Sequence, residues 1–179
     1  MRAALLALSV LFSVPAFAAE TSYYFGEVEY VYEGAPEHNS NALALVKRTV
    51  DKARGEIAEL ALEKDLRVGA KAEEFPVLLT REGSSLSFRL DMPSVEGVLT
   101  FTSEEWKSWS YDMLMSLPHE EAVRKITGIG GIDSRGRLET VKIIEIVQGE
   151  STLAKIQRSE ILALVSKERY EALRAQLLK

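Results

Sequence analysis

Apolar and polar residues alternate one for one in run after run of this chain. That period of two suits strands with one buried face and does not suit helices. Tyr24, Gly26, Val28, Tyr30 and Tyr32 share one face of the first run, with Glu27, Glu29 and Glu33 on the other. Leu86, Phe88, Leu90 and Met92 alternate with Ser85, Ser87, Arg89 and Asp91, and Gly83-Ser84 joins them to the run Phe75–Glu82 as a hairpin. Gly97–Thr102, Trp106–Met115 and Val123–Gly130 follow. Arg137–Val147 is β-branched enough to demand a strand, and Thr152–Val165 reads as a long last one.

Ala42–Lys64 is ambiguous. Leu45, Val46, Val50, Ala53, Ile57, Leu60 and Ala61 fit helical spacing. Gly55 interrupts that helix, however, and Ala58, Leu60 and Leu62 alternate with Glu59, Ala61 and Glu63, so a hairpin turning at Asp51–Gly55 is favoured. After Val165 the period changes. Ser166 is a fitting N-cap, Glu168 suits the positive helix start, and Tyr170, Leu173 and Leu177 fall on one stripe, predicting a helix over 166–178.

About ten strands joined by short connections would leave two long exposed edges if laid flat. Closing them into an antiparallel up-and-down barrel removes both edges. A barrel of this strand number can enclose a small ligand, whereas a narrower one fills itself with side chains. A two-sheet sandwich satisfies the same pattern and stays open as the structural alternative.

The N-terminus carries a different message. Arg2 is followed by the apolar stretch Ala3–Val14, then Pro15, then Ala16-Phe17-Ala18. This is the layout of a secretory signal peptide over residues 1–18, with a mature chain starting at Ala19. The apolar stretch is too short for a transmembrane helix, and no later segment replaces it. The expected location is periplasmic or extracellular, and the expected organisation is one domain over 19–179.

Composition removes several chemistries. The chain has no Cys, which excludes thiol catalysis and thiolate metal sites. It carries 22 Lys and Arg against 27 Asp and Glu, and a net charge of −5 opposes non-specific binding to nucleic acid. With two His in all, His38 and His119, a His-rich metal site is impossible. His119-Glu120-Glu121-Ala122-Val123 starts like a zinc-protease helix but has Val where the second His belongs. A proximal haem ligand would need a deep pocket behind His119, and the plain reading is an exposed loop His beside Pro118. No Gly-x-Ser-x-Gly elbow occurs. Thr127-Gly128-Ile129-Gly130-Gly131 lacks the helix that a phosphate loop requires, so its glycines read as a bulge or barrel corner. The expectation is a protein with no catalytic set, no metal and no cofactor.

Three segments carry a resemblance: Trp106-Lys107-Ser108-Trp109-Ser110-Tyr111; Thr127-Gly128-Ile129-Gly130-Gly131-Ile132-Asp133 with Gly136 and Leu138; and Val165-Ser166-Lys167-Glu168-Arg169-Tyr170. Together they resemble exported bacterial proteins of unknown function with lipocalin-like barrels, mainly over Gly97–Lys179. The resemblance implies a barrel with a terminal helix and supplies no catalytic residues to transfer.

Trp109, Tyr111, Met113 and Met115 share one face of their run, with Trp106 on the other. Aromatic and Met side chains offer apolar area, a polar edge and an adaptable wall, which suits a ligand cavity. The expected site is therefore an interior lined by Phe88, Trp109, Tyr111 and Met113, with His119 near a mouth, binding a small apolar or amphipathic molecule. The rival reading is a packed interaction domain of the cell envelope with no cavity, using Phe25 and Val31 as an exposed patch. Oligomeric state is left open.

Overall fold

The computed structural model describes residues 18–67, 70–91, 95–116 and 121–179. All but the last residue of the expected signal peptide, and also Met92 and His119, lie outside the described residues. The strands are β1 (Glu20–Tyr32), β2 (Ser40–Asp51), β3 (Glu56–Asp65), β4 (Glu73–Arg81), β5 (Ser87–Asp91), β6 (Val95–Phe101), β7 (Ser108–Ser116), β8 (Val123–Ile132), β9 (Leu138–Gln148) and β10 (Ser151–Val165). A single helix, α1 (Lys167–Leu177), follows. Each strand pairs antiparallel with its neighbours in sequence, and β1 also pairs with β10, from Tyr23 opposite Val165 to Tyr32 opposite Ile156. The sheet is thus a closed ten-stranded up-and-down barrel, and the sandwich alternative is ruled out. Among the described residues no helix is long and apolar enough to cross a membrane.

The ambiguous segment 42–64 forms the β2–β3 hairpin, with register from Ala42 opposite Asp65 to Asp51 opposite Glu56. Gly55 closes its turn at φ +67°, a left-handed conformation that glycine adopts without strain. The Asp51 carboxylate accepts the Arg54 N–H at 3.0 Å and stiffens the same turn.

Parity decides what lies inside. Tyr24, Val28, Ile57, Leu79, Phe88, Leu99, Phe101, Trp109 and Leu162 are all buried in one interior cluster. One end of the barrel is plugged by aromatic rings: Phe88 packs on Phe101 at 5.0 Å and on Trp106 at 4.7 Å, and Phe101 on Trp109 at 5.5 Å. Trp106 is the correction here. It precedes β7, turns at φ +56°, and is buried in the plug, where strand alternation puts it on the outer face. The loop tolerates backbone strain in order to bury an indole against two phenyl rings.

The helix packs on the outside. Ser166 accepts the Arg169 N–H at 3.2 Å as its cap. Tyr170, Leu173 and Leu177 cover Leu45 and Leu62, which point outward from β2 and β3 yet are fully buried beneath them. Phe25 packs against the same cluster, so it does not form the exposed patch that its strand position suggests. Arg174 fastens the helix to Glu74, with Nε at 2.8 Å from its carboxylate.

Candidate functional site

The barrel encloses a cavity of about 460 Å³, extending from Trp109 above the aromatic plug toward the opposite end, where Glu73, Phe75 and Met115 stand. That volume falls in the range of small-molecule sites. A larger concavity of about 720 Å³, beside Lys64, Asp65 and the end of α1, lies on the outer wall.

Two different walls face each other across this space. Strands β4 to β7 contribute the apolar Val77, Leu79, Leu90, Val95, Leu99 and Met113, together with Tyr111 and, at the far end, Glu73. Strands β9, β10, β1, β2 and β3 are contiguous around the closed sheet. Their inward positions carry Lys142, Arg158, Glu160, Tyr30, Arg48, Glu59 and Glu63. The interior is therefore amphipathic across its diameter.

Arg158 organises the polar wall. Its guanidinium donates to Glu160 at 2.6 Å, to Glu63 at 2.9 Å and to the Tyr30 hydroxyl at 3.0 Å. Tyr30 in turn donates to the other oxygen of Glu63, and Thr140 donates to the other oxygen of Glu160 at 2.5 Å. Both oxygens of each carboxylate are thereby engaged, which is how charged groups survive enclosure. Burial opposes the charge of Arg158, but Glu160, Tyr30 and Glu63 outweigh it and its pKa is raised. Burial likewise works against the Glu160 carboxylate, yet Lys142, Arg158 and the Thr140 hydroxyl hold it below the usual range. Burial pushes the Tyr30 and Tyr111 phenols well above their ordinary values, so both stay neutral.

Arg48 is almost fully buried, pairs with Glu59, and lays its guanidinium over the Trp109 ring at 4.6 Å. Trp109 itself fits because Gly130 lies opposite it: a Cβ there would fall 2.6 Å from the indole. Gly128, two residues earlier on the same face of β8, makes room for backbone instead. It stands between Tyr111 on β7 and Lys142 on β9, whose ammonium lies 4.6 Å from the tyrosine ring, and a Cβ on it would fall 2.2 Å from the Val141 carbonyl oxygen of β9. The Thr127–Gly131 segment is thus a continuous strand whose glycines accommodate their neighbours, and the turn 133–137 and β9 follow it.

Of the residues expected from sequence, Trp109, Tyr111 and Met113 line the cavity together. Phe88 is placed in the aromatic plug at the closed end and is not among the lining residues. His119 is outside the described residues. Sequence reasoning did not single out the charged wall. The signal was available in parity: Lys142 lies between Thr140 and Ile144 on the Leu138 face, and Arg158 and Glu160 lie between Ile156 and Leu162. Among the described residues no group of three or more His, Asp or Glu side chains is placed to hold a metal ion.

The architecture and its enclosed cavity define a closed, ten-stranded antiparallel barrel with a C-terminal helix, consistent with a lipocalin-like fold. Comparison with protein-family models, with curated proteins and with solved structures finds no match.

Proposed function

We propose that this protein is exported and binds a small amphipathic molecule inside its barrel without transforming it. The observation that carries the reading is the cavity of about 460 Å³ with an apolar wall facing a charged one. A solid interior would suit a purely structural domain, whereas an enclosed void with a few convergent polar groups suits a ligand site. The apolar wall would supply burial at roughly 25 cal/mol per Å² of ligand surface, and the polar wall would fix orientation. Arg158, Glu63 and Glu160 of the polar wall are held by one another, an arrangement suited to recognition. Export is supported by the signal-like pattern up to Ala18 and by the start of β1 at Glu20, so cleavage after Ala18 leaves every strand whole.

The test is ligand titration of purified, delipidated protein with fatty acids, fatty alcohols, sterols and haem. Trp fluorescence and thermal shift provide the readouts, since Trp109 borders the cavity. Saturable binding of one amphipathic class with a raised melting temperature is the expected result. No response to any member of the panel overturns the reading.

A further inference from the structure

We infer that the ligand carries a single acidic head group, a carboxylate, and that Lys142 is the residue that receives it; the inference rests on the ligand-binding reading of the barrel. Lys142 is half-buried, and its side chain borders the cavity. Among the described residues it makes no hydrogen bond and has no carboxylate within ion-pair distance; its ammonium lies 4.6 Å from the Tyr111 ring, and Glu160 acts on it only through space. The other two cations of the polar wall are placed differently. Arg158 is shared by Glu63, Glu160 and Tyr30; Arg48 gives one nitrogen to Glu59 and lies on the face of Trp109, and although its Nε and Nη2 have no hydrogen-bond partner it is not among the residues that line the cavity.

An ammonium has three donors and no acceptor capacity, and enclosing it without acceptors is costly. A ligand carboxylate between Lys142 and the cavity would accept those donors while its chain lay against the apolar wall of β4 to β7. The same accounting disfavours other head groups. A cationic head would find both oxygens of Glu63 and of Glu160 already engaged. A phosphate dianion would set two charges against the single ammonium of Lys142 in a space that already holds four carboxylates, Glu59, Glu63, Glu73 and Glu160.

Charge linkage gives the inference a second signature. Burial lowers the pKa of Lys142, and Glu160 only partly offsets it; Arg158 adds to the lowering, and Glu59 and Glu63 oppose it. Tyr111 is neutral, as is Tyr30 beside Arg158, and Arg48 does not line the cavity, so Lys142 is the group of this wall that answers to an arriving anion. A carboxylate beside it favours the ammonium form. Affinity for an acid therefore falls as pH rises through the pKa of Lys142, and binding in that range takes up a proton.

The experiment compares decanoic acid with decanol, both below their aggregation limits, on wild type, Lys142→Met and Lys142→Arg, by calorimetry. Wild type is expected to prefer the acid by about tenfold or more, the scale of a charge-assisted hydrogen bond. Lys142→Met is expected to abolish that preference, bringing acid and alcohol to comparable affinity, and Lys142→Arg to retain a fraction of it. Titrations in two buffers of different ionisation enthalpy are expected to register proton uptake with the acid alone. Equal affinity for acid and alcohol in wild type, or an acid preference that survives Lys142→Met, overturns the inference and leaves ligand binding intact. Failure of both compounds to bind overturns it together with the reading beneath it. Should Lys142→Met not fold, the acid–alcohol comparison and proton uptake in wild type decide alone.

Discussion

Replacing Arg158 by Met tests whether the polar wall is a formed network. Arg158 is 14% exposed, and its guanidinium satisfies one oxygen of Glu160 at 2.6 Å, one of Glu63 at 2.9 Å and the Tyr30 hydroxyl at 3.0 Å. Met keeps most of the side-chain volume but strands two enclosed carboxylates. Breaking a buried ion pair from one side costs about 3–5 kcal/mol, a large share of the total stability of a domain. At roughly 2–4 °C per kcal/mol for a chain of this size, the melting temperature should fall by about 6–20 °C at neutral pH. The pH dependence is the sharper prediction. In wild type the Glu160 carboxyl is held low, against burial, by Lys142, Arg158 and the Thr140 hydroxyl. Its contribution is therefore complete above its unfolded-state pKa and is lost as pH falls through its folded one. Without Arg158 the folded pKa moves up, so protonation relieves the variant sooner. The gap in melting temperature between variant and wild type should then narrow below about pH 4.5. Thermal melts followed by circular dichroism from pH 3 to 8 measure this. A loss under 1 kcal/mol at pH 7, or a gap that widens in acid, would refute the network.

Three further substitutions probe the surroundings of the site. Gly130→Ala puts a Cβ 2.6 Å from the Trp109 indole, so it should cost about 1–3 kcal/mol and shift the Trp emission spectrum; an unchanged spectrum and melt contradict the packing. Leu173→Ala removes a buried contact between α1 and the outer wall and should cost about 2–3 kcal/mol, with faster amide exchange confined to the helix and the β1–β3 face it covers. Ser166→Ala deletes the cap that accepts the Arg169 N–H and should cost about 1 kcal/mol in chemical denaturation, with ligand affinity unaltered.

The barrel was legible because alternation and connection length are local. The β2–β3 hairpin shows how: Gly55 and the Glu59/Ala61/Glu63 alternation argue against the helix that the Leu and Ala content invites, and the hairpin is what forms. Less legible were features set by residues distant in sequence. Phe25 looks exposed on its strand, but the covering helix arrives from the far end of the chain, at Tyr170 and Leu173. Trp106 leaves strand geometry because Phe88 and Phe101 offer it a place in the plug, and strand parity has no means of expressing that. The polar wall sits between these cases. Parity alone puts Arg158, Glu160 and Lys142 inside. Glu63 meets Arg158 only because the sheet closes β1 onto β10, bringing β3 within reach of β10. Of the cavity residues, Trp109, Tyr111 and Met113 could be read from one alternating run, while their charged counterparts required closure of the tube.

A crystal structure of the protein with a bromine-tagged decanoic acid, the halogen at the end of the chain, tests the claim of an amphipathic ligand site most directly. The anomalous signal of bromine is expected inside the barrel, against the wall of Leu79, Leu90 and Met113, with carboxylate density beside Lys142. Bromine only on the outer surface, or a barrel interior filled by side chains with no density for the acid, would contradict the account.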